Sequence, residues 1–218
     1  MKIDFVNFNT IQGEFPSLPK RHFVHGASSD EIPFDLYIIT GSHNGVYEDL
    51  QWIRDLEAWI RNADELKVPL IGICFGHQVV ASALGGKVTL NPKGWEVGAQ
   101  DFELNEVGQA MFKGKTSIHL QYSHQDAVVQ LPASMLNLGG NEKTDCQGMC
   151  KGSHIVTLQG HPEFCKETMS GILGRKREKG ILSEAEYSRA YHSLDDPVDA
   201  NYVACASLAY LKLHPPLE

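Results

Sequence analysis

The chain has 218 residues, of which 42% are hydrophobic, and its formal net charge is −8. A chain of this length can bury a sizeable core, and we expect one domain over residues 1–218. The acidic balance argues against binding to nucleic acid or to an anionic membrane, because both need a basic surface. No apolar run approaches the length of a membrane span, and the first residues lack the basic start and apolar core of a signal peptide. We therefore expect a cytoplasmic protein.

The N-terminal stretch gives weak signals. Ile3–Phe8 and His22–His25 could each form a short strand, and the glycines and prolines between them exclude a long helix.

From Asp35 onward, buried strands alternate with amphipathic helices. Leu36–Ile39 and Pro69–Ile73 are short apolar runs, as expected of strands in a parallel sheet. Glu48–Asn62 has apolar residues at helical spacing, and Gly76–Leu84 predicts a second helix that a glycine pair ends.

Further strands and three helices follow in the second half of the chain. The predicted strands are Lys87–Leu90, Gly94–Leu104, Ser117–Tyr122, Ala127–Gln130, Met135–Gly139 and Ile155–Gln159. The predicted helices are Glu167–Lys179, Tyr187–His192 with a capping box at Ser183 and Glu186, and Val198–Leu213. This order predicts an α/β fold with a mainly parallel open sheet and helices on both faces.

The cysteines indicate reduced thiols. They are five in number, scattered, and not accompanied by a secretory signal: Cys74, Cys146, Cys150, Cys165 and Cys205. Cys146 and Cys150 lie four residues apart, but no second pair at zinc spacing accompanies them, so we expect no metal. The basic cluster Arg175-Lys176-Arg177, with Lys179, is typical of a solvated helix face.

Cys74 occupies a sharp junction between a strand and a helix. It stands in Gly72-Ile73-Cys74-Phe75-Gly76, which has the pattern of a nucleophile elbow with sulfur in place of oxygen. The start of the helix favours a thiolate and predicts a lowered pKa for Cys74. The alternative is that Cys74 is a small buried hydrophobic residue.

A base and an orienting carboxylate follow a later strand. His161 and Glu163 stand in Gly160-His161-Pro162-Glu163-Phe164, directly after the strand that ends at Gln159. Catalytic groups in open α/β sheets gather at the carboxyl edge of the strands. His161 can take the proton of a thiol there, and Glu163 can hold the imidazole in one tautomer.

The two motifs together resemble those of the class I glutamine amidotransferases, and more narrowly the amidotransferase domain of GMP synthases and its stand-alone relatives. The resemblance runs from about Asp35 to Phe164 and implies a flavodoxin-like fold. It implies that Cys74 attacks the side-chain amide of glutamine to form a γ-glutamyl thioester, with His161 as base and acid and Glu163 as its orienter. Glutamate and ammonia are the implied products, and the chemistry needs no cofactor.

The resemblance also implies the surroundings of the triad. Backbone N–H groups of Ser42 and Phe75 would form the oxyanion hole, and Gly41, Gln78, Ser123 and His124 would contact the substrate. Alternatively, Gln78 caps a helix turn and His124 ties its loop together with Asp126.

The oxyanion loop departs from the family pattern. The family has two adjacent glycines and a proline where this chain has Gly41-Ser42-His43, so a positive φ at Ser42 would be costly.

Three functions remain open. The first is a glutaminase that supplies ammonia to a synthetase on another chain, since no P-loop is present in the sequence. The second is a γ-glutamyl peptide hydrolase that works alone. The third is an inactive binding or regulatory subunit of an amidotransferase complex.

Overall fold

The computed structural model describes residues 4–19 and 34–213. Nine strands occur in these ranges: β1 (Tyr37–Ile39), β2 (Leu70–Ile73), β3 (Lys87–Leu90), β4 (Glu96–Leu104), β5 (Ser117–His124), β6 (Asp126–Gln130), β7 (Leu136–Gly140), β8 (Gly148–Lys151) and β9 (Ile155–Leu158). The helices there are α1 (Gln51–Glu65), α2 (Phe75–Ala83), α3 (Glu106–Met111), α4 (Lys166–Glu178), α5 (Glu184–His192) and α6 (Ala200–Tyr210).

The main sheet has seven strands in the order β1-β2-β9-β8-β7-β4-β5, and β3 pairs with β6 in a separate two-stranded sheet. β1, β2 and β9 pair in parallel. The remaining pairs of the main sheet are antiparallel. The predicted α/β fold is confirmed, but the sheet is mixed where a mainly parallel one was expected. The reason is local, since connections as short as the turn between β8 and β9 allow only antiparallel neighbours.

Helices cover both faces of this sheet. One face packs its apolar side chains, Leu70 and Ile155 among them, against α1 and α2. The other face, with Ile73 and Leu158, packs against Val203 of α6. Side chains along one strand point alternately to the two faces, so β2 and β9 contribute to both cores. The parallel strands β2 and β9 therefore lie between two packed layers, and β1 forms the edge of the sheet.

A third cluster forms beside the start of β4. α4, α5 and the turn after α5 bury Met169, Leu173, Ala190 and Leu194, against which the side chains of Trp95, Val97 and Phe164 pack. The predicted capping box of α5 is confirmed, because Ser183 accepts from the Glu186 N–H and Glu186 accepts from the Ser183 N–H at 2.8 Å.

The sequence patterns did not predict α3 or β8. α3 buries only Gly108 of its six residues, so it has no apolar stripe to detect. β8 is four residues long and begins with glycine. Of the predicted N-terminal strands, residues 4–8 are not a strand, and His22–His25 lies outside the described residues. Within the ranges given above, no helix has the length and apolar character needed to cross a membrane.

Gly76 gives a test of how α2 is seated on the sheet. A Cβ at Gly76 would overlap the backbone carbonyl of Ile39, and backbone cannot move aside as a flexible side chain can. We expect Gly76→Ala to lower the free energy of unfolding by about 2–3 kcal/mol, measured by urea denaturation.

Gly174 in α4 is the matched control, because a Cβ there meets nothing within 4 Å. Gly174→Ala should raise stability by up to about 1 kcal/mol, since alanine favours helix over glycine. A Gly76→Ala protein as stable as the wild type would contradict this account of the junction.

Candidate active site

Cys74 sits on a strained backbone between β2 and α2. Its φ of 54° and ψ of −105° lie outside the usual regions for a residue with a side chain. Its N–H donates to the carbonyl of Leu158 at 2.9 Å, and its carbonyl accepts from the N–H of Gln78 at 3.1 Å. Such strain costs on the order of 1–3 kcal/mol and persists only where neighbouring structure enforces it. The geometry is that of a nucleophile elbow.

Three strand ends converge at this point. A Cβ built on Gly41, just after β1, would lie 3.4 Å from Cε1 of His161 and 3.7 Å from Cβ of Cys74. Cys74 follows β2 and His161 follows β9, the parallel neighbour of β2. The two sequence motifs therefore meet at the carboxyl edge of the parallel strands.

His161 is held on three sides. Its Nδ1 lies 2.7 Å from Oε1 of Glu163. Its N–H donates to the carbonyl of Gln121 at 2.8 Å, and its ring stacks on Phe164 with centroids 3.8 Å apart. A carboxylate can only accept, so Nδ1 carries the proton and Nε2 remains as the basic nitrogen. This arrangement suits a general base.

The pKa of Cys74 moves in the direction opposite to the one predicted from sequence. Burial raises the pKa to about 12, although the N–H of Phe75 and the charge of Lys176 act to lower it. The prediction of a lowered value considered only the start of α2 and not the desolvation of a side chain that is 8% exposed. Cys74 is therefore a neutral thiol near neutral pH.

Of the two residues expected to form the oxyanion hole, Phe75 contacts the thiol and Ser42 lies next to Gly41 in the loop after β1. The N–H of Phe75 makes a hydrogen bond to the sulfur of Cys74. Ser42 follows Gly41, and its hydroxyl accepts from the N–H of Asn44 at 3.2 Å. Ser42 is not among the described non-glycine residues with positive φ, so replacing glycine by serine causes no strain of that kind.

Gln78 and His124 are tied into the protein. The side-chain amide of Gln78 donates to the Asp126 carbonyl at 3.2 Å and to Oε1 of Gln159 at 3.0 Å. Nδ1 of His124 lies 2.9 Å from the same Asp126 carbonyl. These contacts agree with the structural alternative given for His124. Ser123, partly buried, lies opposite Val97 in the β4–β5 pair.

Glu96 is a buried anion that the sequence analysis missed. It is 0% exposed, and Nε2 of His124 lies 3.2 Å from its Oε2. Asn141 donates to its carboxylate at 2.7 Å, Thr144 at 2.5 Å and Gln147 at 3.0 Å. Burial alone would raise its pKa, but these partners outweigh burial and hold it at about 2. In the sequence, the only local indication of this site is an acidic residue at a position of β4 that faces the protein interior, in Trp95-Glu96-Val97.

Lys176 is the second residue that was missed. Its Nζ lies 3.5 Å from the centre of the Trp95 ring, and its charge acts on Cys74. The prediction of a solvated helix face is therefore wrong for Lys176, although Arg175, Arg177 and Lys179 are exposed.

A strained cysteine beside a histidine that a carboxylate orients is the arrangement of thiol-dependent acyl-transfer enzymes. The family model of class-I glutamine amidotransferases matches residues 21–175. The chain belongs to the class I glutamine amidotransferase family.

Curated relatives carry three kinds of name. A glutamine amidotransferase-like protein of Schizosaccharomyces pombe is 33% identical, over 80% of this chain and 71% of that protein. Gamma-glutamyl peptidase 5 of Arabidopsis thaliana is 31% identical, over 77% of this chain and 65% of that protein. One subunit of the glutamine-hydrolysing GMP synthase of Saccharolobus solfataricus is 34% identical, over 64% of this chain and 72% of its own length.

The fold is that of the family. The crystal structure of a glutamine amidotransferase from Thermotoga maritima superimposes with a TM-score of 0.71 at 20% identity, over 94% of this chain and 85% of that one. The expected flavodoxin-like class I amidotransferase fold is confirmed.

Glu96 predicts an acid-sensitive stability. Because its pKa in the folded protein, about 2, lies below its ordinary 4.5, the stabilisation is present above pH 4.5 and is lost as the pH falls towards 2. We expect Glu96→Gln to cost on the order of 2–3 kcal/mol near neutral pH, with the difference from wild type shrinking in acid. Urea denaturation of both proteins at several pH values measures this difference in the free energy of unfolding.

Glu103→Gln is the control, since Glu103 is an exposed carboxylate on the same strand. It should change stability by less than about 0.5 kcal/mol. An equal cost at Glu96 and Glu103 would exclude the buried cluster as a source of stability.

The neutral thiol predicts slow alkylation of Cys74. Thiolate is the species that reacts with iodoacetamide, so in the absence of substrate the exposed Cys165 should react faster than Cys74. Mass spectrometry of peptides after timed labelling gives both rates. A rate for Cys74 that reaches a plateau near neutral pH would show that the thiolate already exists at rest.

Proposed function

We propose that this chain hydrolyses the γ-amide of glutamine through a cysteine γ-glutamyl thioester and releases glutamate and ammonia. The observation that carries the proposal is the convergence of Cys74, on its strained elbow, with His161, whose Nδ1 is held 2.7 Å from Glu163. Membership of the class I glutamine amidotransferase family supports the same chemistry.

In the acylation half, Nε2 of His161 takes the proton of the Cys74 thiol as sulfur attacks the γ-carbonyl carbon. The carbonyl oxygen becomes an oxyanion, which the N–H groups of Phe75 and Ser42 would stabilise. The tetrahedral intermediate then collapses. The C–N bond breaks, His161 returns its proton to the leaving nitrogen, and ammonia departs.

In the deacylation half, water replaces ammonia. His161 takes a proton from the water as its oxygen attacks the thioester carbon, and the C–S bond then breaks. The proton returns to sulfur and glutamate leaves. Glu163, half exposed, orients the imidazole and stabilises the imidazolium in both halves without itself accepting a proton.

The raised pKa of Cys74 fits this scheme. A thiol that is neutral at rest must lose its proton in the step in which it attacks, so an adjacent base is essential. His161 is mostly buried and stacked on Phe164, which fixes its ring for this transfer.

A second candidate is the hydrolysis of γ-glutamyl peptides by the same thioester route. The similarity to an Arabidopsis gamma-glutamyl peptidase favours it. The exposed Gly41 and the half-exposed Glu163 also leave one side of the site open, which a leaving group larger than ammonia requires.

For the glutaminase, we propose that ammonia passes to a synthetase subunit on another chain. The similarity to one subunit of the GMP synthase of Saccharolobus solfataricus supports a separate partner. The substrate in either case is a small γ-glutamyl compound.

The test is glutamate release by the purified chain from glutamine and, in parallel, from γ-glutamyl dipeptides. Cys74→Ala should abolish release, and His161→Asn should lower kcat by about a thousandfold or more. Glu163→Gln should have a smaller effect of about ten- to a thousandfold, because it disturbs only the orientation of His161.

Cys165→Ser is the control, because this exposed cysteine should not affect the rate. Release that persists in Cys74→Ala would exclude the thioester mechanism. Absence of release from every substrate, in a folded wild-type protein, would favour an inactive binding subunit.

A further inference from the structure

Lys176 is a half-buried cation that has no acidic partner within the described residues. Two other basic residues of α4 are paired: Lys166 with Asp195 and Arg177 with Glu184. Lys176 takes part in none of the salt bridges found among the described residues, although acidic residues outnumber basic ones by 27 to 19. Its ammonium instead lies 3.5 Å from the centre of the Trp95 ring. An ammonium in this setting can bind an anionic ligand.

The lysine lies at the active site. Its ammonium contacts the ring of Trp95, and Trp95 packs against the same cluster as Phe164, which stacks on His161. The charge of Lys176 also acts to lower the pKa of Cys74. Trp95 is fixed beneath it, because its ring packs against the third cluster and its carbonyl accepts from Lys143 at 2.6 Å. A cation over a fixed aromatic ring is a preorganised binding position.

The position of Phe164 relates Lys176 to His161. Phe164 stacks flat on His161 and packs against the same cluster as Trp95. His161 is the group that returns a proton to the leaving nitrogen in the proposed mechanism. Trp95 and Lys176 therefore lie in the neighbourhood of His161, the residue that gives its proton to the leaving group in the proposed mechanism.

We infer that Lys176, supported by Trp95, binds a carboxylate on the leaving-group side of a γ-glutamyl peptide and selects for such substrates. The inference rests on the proposed thioester hydrolysis at Cys74. Ammonia, the leaving group from glutamine, has no carboxylate and gains nothing from Lys176. The α-carboxylate of the glutamyl part is common to all substrates and is not the group assigned here.

The lowered pKa of Lys176 agrees with a binding position for an anion. Burial lowers the pKa of Lys176 to about 8, and the charge of Lys179 acts in the same direction. A bound carboxylate would favour the charged form of Lys176, which burial disfavours, and so raise its pKa.

The first arm of the test measures binding without catalysis. In the Cys74→Ala protein, calorimetry compares γ-glutamylalanine with its C-terminal amide, γ-glutamylalaninamide. We expect about tenfold tighter binding of the free acid. The preference should vanish when Lys176→Gln is added and should persist when Lys179→Gln, an exposed lysine on the same helix end, is added instead.

The second arm measures kcat/KM for the same two peptides and for glutamine. Lys176→Gln should lower the value for γ-glutamylalanine, through KM, by about tenfold more than it lowers the values for the amide and for glutamine. Lys176→Arg should recover part of the loss, because it keeps the charge. An equal fall for all three substrates would overturn the inference in favour of an effect on Cys74 or on the shared α-carboxylate.

The two arms separate this inference from the proposed function. Tight binding of the acid that depends on Lys176, with no turnover of any substrate, would support the carboxylate site and refute the hydrolase. Turnover that depends on Cys74, with equal binding of acid and amide, would support the hydrolase and refute the carboxylate site.

Discussion

The contact on which the site depends is the close approach of α2 to β1. α2 begins so near the sheet that Gly76 faces the backbone carbonyl of Ile39, and a Cβ on Gly72 would lie 2.6 Å from the carbonyl oxygen of Gly76. Without side chains at these two positions, the chain can turn from β2 into α2 within one residue. Cys74 is that residue, and its unusual φ follows from the geometry of the turn.

Strain at Cys74 is balanced by hydrogen bonds on both sides. The N–H of Cys74 is satisfied by Leu158 and its carbonyl by Gln78, so neither backbone group loses its partner in the distorted turn. The side chain of Gln78 continues the connection to the carbonyl of Asp126.

The same carbonyl links the elbow to the buried anion. Nδ1 of His124 contacts the Asp126 carbonyl, and Nε2 of His124 lies 3.2 Å from Glu96. Glu96 thus supports, through His124, the segment that Gln78 ties to the turn at Cys74.

The features that could be predicted from the sequence are those formed by residues close together in the chain. The elbow around Cys74 and the pairing of His161 with Glu163 are local patterns, and a sequence exposes local patterns directly. Glu96 and Lys176 become meaningful only through partners far away in the chain, such as Thr144 and Trp95 respectively. The pairing of the strands could not be inferred from apolar runs alone, because β8 is short and is identified by its neighbours in the sheet.

Desolvation of Cys74 has a consequence beyond catalysis. Peroxides attack thiolates and not thiols, and the first product of that attack is a sulfenic acid. A Cys74 side chain that stays protonated is therefore shielded from this oxidation. Burial around the sulfur disfavours its ionisation and, for the same reason, slows its loss to peroxide.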